Sequence, residues 1–287
     1  MRDWLNRYIE LDEVYPMKLL GETLYEVRGP KTLFEMSWPE VEEALGKTDI
    51  VIVPVGSTEQ HGTHLPLGSD TLQAGDMARM VIKQLADEGV TVCAATTIPF
   101  GVSHAHMKFP GTITLSSETL MRVITEVCRS LHFHGFRKFM LLYGHGGNLA
   151  TLRLVAQDLA QILKDSKIIV PDWLPVMDAK YPEILKSPRP KDEHHSAEGE
   201  TARQIFSTPA LVSKNRGEPF YVPKDMDPYA KKPYPGSVTI AESGVGMKEM
   251  TPFGVMGDPS RATAETGEKL YRVITDWLCQ VVRAEFL

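Results

Sequence analysis

The sequence predicts a three-layer α/β fold in which helices cover both faces of a mostly parallel sheet. The first observation is a set of short apolar runs at positions 49–57, 90–100, 138–145 and 166–173, the first of which is rich in β-branched residues. Such runs are typical of strands that are buried on both faces. The second observation is that stretches with helical apolar periodicity separate these runs. Strands that alternate with helices form parallel sheets covered on both sides.

The helices are predicted from their caps and their apolar faces. In the segment 37–46, Ser37 and Glu40 have the spacing of a capping box, Pro39 suits the first turn, and Gly46 suits the end. Further helices are predicted at 70–89, 116–134, 149–164, 196–206 and 262–286. In a sheet of this kind, ligands bind at the edge formed by the carboxyl ends of the strands.

The domain organisation is predicted from two irregular segments. Residues 1–35 are expected to form an N-terminal arm, and residues 36–287 a single domain. Within that domain, residues 207–257 are rich in proline and glycine and lack a helical or strand pattern. Irregular segments of this length are uncommon in a compact domain unless they form a lid or contact a partner. We therefore expect a homo-oligomer in which these segments complete neighbouring active sites.

The composition is that of a globular protein, with 43% hydrophobic and 24% charged residues. A net charge of −6 gives no reason to expect binding to nucleic acid or an anionic membrane, and no apolar run reaches the length of a membrane span. The three cysteines, Cys93, Cys128 and Cys279, are odd in number and far apart, which favours a reducing compartment. We therefore expect a cytoplasmic protein.

The stretch "PVGSTEQHGTHLPLGSD", residues 54–70, places Glu59, His61, His64 and Asp70 directly after the first predicted strand. Glu59 and His61 project to the same side if this segment is extended. Asp70 stands where the loop ends and a helix begins, and the usual explanation for a single Asp there is an N-cap. Each residue taken alone therefore has a structural explanation.

Two further polar segments carry histidines. "YGHGGN" places His145 just after a predicted strand, where its glycines allow either a close ligand or a phosphate cradle at a helix start. "DEHHSAEGETA" contains His195 and Glu198, which share a face if the segment is helical. An acidic helix start is also commonly just a solvated end that the helix dipole favours.

Taken together, these segments indicate a metal site. They supply three carboxylates and two imidazoles, from Glu59, His61, Asp70, His145 and Glu198. This mixed set of oxygen and nitrogen donors suits two divalent cations, which would be Zn²⁺, Mn²⁺ or Fe²⁺. A pair of cations activates water and polarises a substrate oxygen. His195 would lie one helical turn from Glu198, which places it beside the metal site, and its intrinsic pKa suits a group that protonates the leaving atom.

The quoted segments, together with "FPGTITL" (109–115) and "GDPSRATAETG" (257–267), resemble the creatininase (creatinine amidohydrolase) family over about residues 35–280. The resemblance implies a three-layer αβα fold, a hexameric assembly and a dinuclear metal site. By position it assigns the metal ligands to Glu59, His61, Asp70, His145 and Glu198. It also implies that Asp70 bridges the cations and that His195 is the catalytic histidine.

The sequence departs from the family pattern at several positions. Tyr143 stands where the family usually has Asn, and Ser196 and Ala197 replace the Ala and Gly of its "HAGE" motif. Creatinine-active members carry an aromatic residue and a carboxylate after the loop histidine, whereas this chain has Gly146 and Gly147. We therefore do not expect creatinine itself to be the substrate.

The substrate that the resemblance implies is a small polar molecule with a cyclic amide or formamide bond. The candidate substrate contacts are His104, His106, Gly146 and Gly147. Hydrogen-bonded loop histidines are an equal alternative for the first two. His64 matches no family ligand, and we expect it to support the ligands around it.

Two other functions remain open from the sequence. Some family relatives hydrolyse a C–C bond in a cyclic keto-polyol such as a keto-inositol. The candidate contacts for a sugar-like substrate of that kind are Lys224, Lys231, Lys232 and Tyr234. The second alternative is a metal-binding protein without turnover.

Overall fold

The centre of the protein is a parallel sheet of four strands, in the order β2–β1–β3–β4. The structure is a computed structural model that describes residues 26, 28–224, 226 and 244–287. The strands are β1 (Ile50–Val55), β2 (Cys93–Ala94), β3 (Lys138–Tyr143) and β4 (Lys167–Ile169). The two central strands, β1 and β3, pair over their full lengths. The predicted parallel sheet is therefore confirmed.

Strand β2 is much shorter than the predicted run 90–100. Beyond Ala94 the chain still follows β1, because the Ile98 N–H donates to the carbonyl oxygen of Pro54 at 2.9 Å. Pro54 has no N–H to return on that side, so the regular ladder breaks there. The break frees the chain to curve into the loop above the sheet.

Eight helices are described. They are α1 (Trp38–Leu45), α2 (Ser69–Asp87), α3 (Ser117–His134), α4 (Leu149–Ile162), α5 (Leu174–Ile184), α6 (Glu198–Ser207), α7 (Met247–Met250) and α8 (Ala264–Phe286). The six helices predicted from sequence are confirmed to within about three residues. Helix α5 was not expected, because it contains two prolines. Pro175 lies in its first turn, where an N–H is not needed, and Pro182 lies near its end.

The helices form two groups, one on each side of the sheet. Helices α3 and α4 pack against each other, whereas α2, α5 and α6 all pack against α8. The strands are buried between the groups, with Val51, Val53 and Leu141 fully inaccessible to solvent. The three-layer fold is therefore confirmed. None of the helices in the described part of the chain combines the length and apolarity that a bilayer span requires.

The predicted irregular segments lie partly outside the described residues. Of the predicted arm, residue 26 and residues 28–35 are described, and they form neither helix nor strand. The described part of the segment 207–257 contains α7 and a single 3₁₀ turn, Pro209–Leu211. Lys224 is described, whereas Lys231, Lys232 and Tyr234 are not.

Two glycines allow the start of α2 to cross the ends of the central strands. Gly56 follows β1 and Gly144 follows β3. A Cβ atom added to Gly144 would overlap the backbone oxygen of Asp70, and one added to Gly56 would overlap the backbone of Thr71. Because glycine lacks a Cβ atom, α2 can approach closely enough to bring Asp70 over the edge of the sheet.

We expect Gly144→Ala to lower the free energy of unfolding by about 1–3 kcal/mol, because the added methyl group forces α2 away from β3. Urea denaturation measures this change. Gly68→Ala is the matched control, since a Cβ atom there would meet no atom within 4 Å. Equal stability of the two variants would contradict the close-packing role of Gly144.

Candidate metal centre

Five acidic and histidine side chains meet at the carboxyl edge of the sheet, as expected for this fold. The loop after β1 carries Glu59 and His61, and the first turn of α2 carries Asp70. The loop after β3 carries His145, and the first turn of α6 carries Glu200. The first three side chains are buried, and the other two are largely shielded from solvent.

The five side chains form two triads that share Asp70. In each triad, the potential ligand atoms lie within 4.8 Å of one another; the triads are Glu59, Asp70 and His145, and His61, Asp70 and Glu200. The two carboxylate oxygens of Asp70 face different triads. Oδ1 lies 3.1 Å from His61 Nε2, and Oδ2 lies 3.4 Å from His145 Nδ1. One carboxylate therefore stands between two potential cation positions.

Backbone carbonyl groups orient both histidines of the triads. Nδ1–H of His61 donates to the carbonyl oxygen of Glu59 at 3.1 Å. Nε2–H of His145 donates to the carbonyl oxygen of Val102 at 3.0 Å. The other nitrogen of each ring then faces the carboxylates. Metal-binding histidines are commonly held in this way, with one nitrogen anchored and the other directed at the cation.

Several oxygens of the cluster lack hydrogen-bond donors. Both carboxylate oxygens of Glu59 and Oδ2 of Asp70 are fully buried, and within the described part of the chain none of them accepts a hydrogen bond. Buried polar atoms without partners are costly and therefore uncommon. Cations would satisfy these oxygens, and the mixture of carboxylates and imidazoles suits Zn²⁺, Mn²⁺ or Fe²⁺. The residues therefore fit the expected metal ions.

The electrostatics of the cluster favour positive charge. Burial by itself would raise the pKa of Glu59, but the neighbouring His145 outweighs it and lowers this pKa to about 2. Burial by itself would lower the pKa of His61, but Asp70 raises it to about 10. Glu59 likewise outweighs burial at His145 and raises the pKa of that imidazole well above its usual value. The carboxylates thus favour positive charge at their centre.

Glu198, which the resemblance assigns as the fifth ligand, lies elsewhere in the structure. Its carboxylate accepts hydrogen bonds from the backbone N–H groups of Lys186, at 2.8 and 3.0 Å, and Ser187, at 2.7 Å. The carboxylate that joins the cluster is that of Glu200, whose Oε2 lies 3.9 Å from His61 Nε2. Glu200 is therefore a site residue that sequence reasoning missed.

The path of the backbone before α6 explains this difference. The predicted i, i+3 relationship between His195 and Glu198 requires both residues to be helical. In the structure α6 begins at Glu198, and Ser196 has a left-handed φ of 54°. The backbone N–H of Ser196 donates to Glu200 Oε2 at 2.6 Å. The segment "HSAEGET" contains both glutamates, but the motif pointed to Glu198 alone.

His195 lies beside the cluster, at the position that the sequence suggested. Its ring centre is 4.4 Å from that of His61, and its Nδ1 is 4.0 Å from Glu59 Oε1. Nε2–H of His195 donates to the backbone carbonyl oxygen of Gln60 at 2.8 Å. Burial and the nearby His61 lower the pKa of His195, which favours the neutral ring.

The four candidate substrate contacts differ in how deeply they are buried. His106 is buried, with Nε2 3.4 Å from Glu59 Oε1, whereas His104 is exposed. Gly146 and Gly147 are exposed as well. A Cβ atom on Gly147 would overlap Nε2 of His145, so this glycine leaves room for the ring.

His64 belongs to neither triad. Its Nε2 forms a hydrogen bond with Thr201 Oγ1 at 2.8 Å, which links the loop after β1 to α6. Burial lowers the pKa of His64 to about 4. His64 therefore joins the two segments that carry the triads, without facing the cluster.

Comparison with known proteins identifies the family of the chain. A family model described as creatininase, creatinine amidohydrolase, matches residues 34–282. The mycofactocin precursor peptide peptidase of Mycobacterium tuberculosis is 29% identical over 231 residues, which cover 79% of this chain and 81% of that protein. The 3-dehydro-scyllo-inosose hydrolase of Thermotoga maritima is 27% identical over 257 residues, which cover 86% of this chain and 81% of that protein.

A solved structure shows the same fold. The crystal structure of a protein described as a creatinine amidohydrolase from Bacteroides fragilis NCTC 9343 has a TM-score of 0.74 at 24% sequence identity. The match covers 91% of this chain and 99% of that chain. The resemblance inferred from the sequence motifs is therefore confirmed, and the chain belongs to the creatininase family of metal-dependent hydrolases.

Proposed function

We propose that this hydrolase binds two divalent cations and cleaves the C–N bond of a small polar cyclic amide or formamide. The observation that carries the proposal is the position of Asp70, whose two oxygens face two separate triads. A single cation would leave one of these triads without a function. The buried oxygens of Glu59, which accept no hydrogen bond from any described residue, add support.

The proposed ligands form two sets. Glu59, Asp70 and His145 would hold one cation, and His61, Asp70 and Glu200 would hold the other. Glu200 takes the place that the sequence motif suggested for Glu198. When bound, a pair of Zn²⁺, Mn²⁺ or Fe²⁺ ions activates water and polarises the substrate carbonyl.

His195 is the proposed proton carrier. Because its Nε2–H is donated to the carbonyl oxygen of Gln60, the neutral ring has its lone pair on Nδ1, which faces Glu59. Nδ1 accepts a proton from the attacking water as the water oxygen bonds to the carbonyl carbon. The same proton then passes to the nitrogen as the C–N bond breaks, so one water is consumed and an amine and a carboxylic acid form, in one molecule for a cyclic amide and in two for a formamide.

The proposed substrate contacts favour a substrate other than creatinine. His106 lies nearest the cluster, and His104, Gly146 and Gly147 lie at the solvent side. Two exposed glycines provide no aromatic surface for a flat ring. An open entrance of this kind suits a polar or extended substrate better than creatinine.

Two other kinds of bond remain candidates for hydrolysis, because the names of two relatives describe enzymes that act on peptides or on an inosose. The Mycobacterium tuberculosis relative is a peptidase, and the exposed glycines would leave room for a peptide chain. The Thermotoga maritima relative hydrolyses an inosose, which supports a C–C bond in a cyclic keto-polyol. Lys224, a candidate contact for that substrate, is exposed to solvent.

A panel of lactams, formamides, short peptides and keto-inositols, each assayed with Zn²⁺, Mn²⁺ and Fe²⁺, tests the substrate class. We expect turnover of a lactam or formamide. Ring opening of a keto-inositol without amide turnover would overturn the proposed bond.

The proposed role of His195 is tested by His195→Gln, which removes the proton carrier. We expect this variant to keep its bound metal but to lose about 10²–10⁴-fold in kcat on the amide that the panel identifies. The matched control is His134→Gln at the exposed end of α3, which we expect to leave kcat unchanged. Full activity of His195→Gln would contradict the assigned role.

The oligomeric state and location are proposed on the basis of the family. We propose a cytoplasmic homo-oligomer, with a hexamer as the expected assembly. Light scattering after size-exclusion chromatography measures the mass in solution, and a monomeric mass would contradict the assembly.

A further inference from the structure

Gln60 connects two histidines of the site, and it is buried between them. Its side-chain oxygen, Oε1, accepts a hydrogen bond from the backbone N–H of Gly62 at 3.0 Å. A backbone N–H can only donate, so the oxygen and not the nitrogen of the amide must face Gly62. The amide nitrogen, Nε2, therefore faces the ring of His106, and it also lies beside Nε2 of His195.

The side chain of Gln60 determines the hydrogen position on His106. Nε2 of Gln60 lies 3.0 Å from Nδ1 of His106. An amide nitrogen donates and does not accept, so Nδ1 of the neutral ring must accept. The ring hydrogen is therefore on Nε2 of His106, which faces Glu59 Oε1 at 3.4 Å.

The backbone of Gln60 determines the hydrogen position on His195. Its carbonyl oxygen can only accept, so it receives the hydrogen of His195 Nε2 at 2.8 Å. The amide nitrogen of Gln60 is also 3.0 Å from this Nε2, but that atom already carries a hydrogen and cannot accept. The lone pair of His195 is therefore on Nδ1.

The position of the Gln60 side chain is confined on the remaining side. Gly254 has a left-handed φ of 75°, and a Cβ atom there would overlap the amide oxygen of Gln60. The chain at Gly254 thus closes directly over the amide. An exchanged amide would direct its NH₂ group at the N–H of Gly62, which can only donate, so the hydrogen bond from Gly62 favours the observed orientation.

We propose that Gln60 is a positioning residue that presents His106 as a hydrogen-bond donor through Nε2 and His195 as an acceptor through Nδ1. This inference rests on the proposed function, which gives the two hydrogen positions their role in catalysis. His195 needs a free lone pair to receive the proton of water, and His106 supplies an N–H for the substrate oxygen that becomes negative. One residue would thereby hold both rings in the Nε2–H tautomer, with the N–H of His106 and the lone pair of His195 available for the reaction.

Neutron diffraction from deuterium-exchanged crystals of the zinc-loaded protein tests the proposal directly. In the wild-type protein we expect deuterium on Nε2 of both His106 and His195, and on neither Nδ1. Deuterium on Nδ1 of either ring would overturn the proposal. This measurement does not depend on any substrate, so it separates failure of the inference from failure of the proposed function.

The variant Gln60→Glu reverses one of the two hydrogen bonds. Its carboxylate can only accept, so we expect deuterium to appear on Nδ1 of His106, while His195 keeps its deuterium on Nε2 because the backbone carbonyl is unchanged. On the amide that the panel identifies, we expect about a 10²-fold loss in kcat with KM and zinc content nearly unchanged. An unaltered hydrogen position on His106 would overturn the proposal.

Two further variants complete the test. Gln157→Glu adds the same charge on the exposed face of α4, and we expect it to leave both hydrogen positions and kcat as in the wild type. Gln60→Met removes the donor without adding charge, and we expect deuterium no longer to be confined to Nε2 of His106. If His106 keeps the wild-type hydrogen position in this variant, Gln60 does not determine it.

Discussion

Replacing Asp70 with asparagine is expected to weaken binding at both cation positions and to slow hydrolysis strongly. The change is nearly isosteric, but it converts one of the two carboxylate oxygens into an NH₂ group. Because Oδ1 faces the triad with His61 and Oδ2 faces the triad with His145, either orientation of the amide directs N–H bonds at one cation. The negative charge that both positions share is lost as well.

We expect the metal content of Asp70→Asn to fall from about two ions per chain to less than one, measured by inductively coupled plasma mass spectrometry after dialysis. Since bound cations contribute several kcal/mol to the stabilisation of the transition state, kcat/KM should fall by at least about 10³-fold. The helical circular dichroism spectrum should stay close to that of the wild type.

The matched control for this prediction is Asp158→Asn, which makes the same change on the exposed face of α4. We expect the control to keep its metal and its activity. Two tightly bound ions and undiminished turnover in Asp70→Asn would show that this residue does not join the two triads, and the dinuclear centre would have to be abandoned.

The second prediction is that Glu198 and Glu200, which are two residues apart, differ in their effect on metal binding. We expect Glu200→Gln to lose one of two cations and at least about 10²-fold in kcat/KM, because it weakens the triad that contains His61. We expect Glu198→Gln to keep both cations, because its side chain contacts the backbone of Lys186 and Ser187 instead. The motif in the sequence favours the reverse result.

Glu198→Gln should instead affect stability. The native carboxylate accepts from two backbone N–H groups, and it is buried. The amide that replaces it carries no negative charge, and an NH₂ group takes the place of one accepting oxygen, so the hydrogen bonds from Lys186 and Ser187 are weakened. We expect the free energy of unfolding to fall by about 1–3 kcal/mol. Urea denaturation and metal analysis of both variants provide the test, and metal loss in Glu198→Gln with retention in Glu200→Gln would refute the structural assignment.

Much of the fold was predictable because its signals are local. Buried parallel strands require continuous apolar runs, and "DIVIVPVGS" and "KFMLLYGH" gave β1 and β3 to within two residues. The sequence offered Ser116 or Ser117 as the cap of α3, and in the structure the Ser116 hydroxyl accepts from the N–H of Thr119 at 3.1 Å. The extent of β2 was not predictable in this way, because it depends on the missing N–H of Pro54 in the neighbouring strand.

The sequence by itself determined the parallel sheet, its glycine-rich edge and the grouping of Glu59, His61, Asp70 and His145, because these follow from residue patterns within short segments. The tertiary structure decided between Glu198 and Glu200, through a left-handed turn at Ser196 that no periodicity describes. It also decided the hydrogen bonds of Gln60, whose partners lie 46 and 135 residues away along the chain. Local patterns fix which side chains are available, whereas the contacts between distant segments determine which atoms face one another.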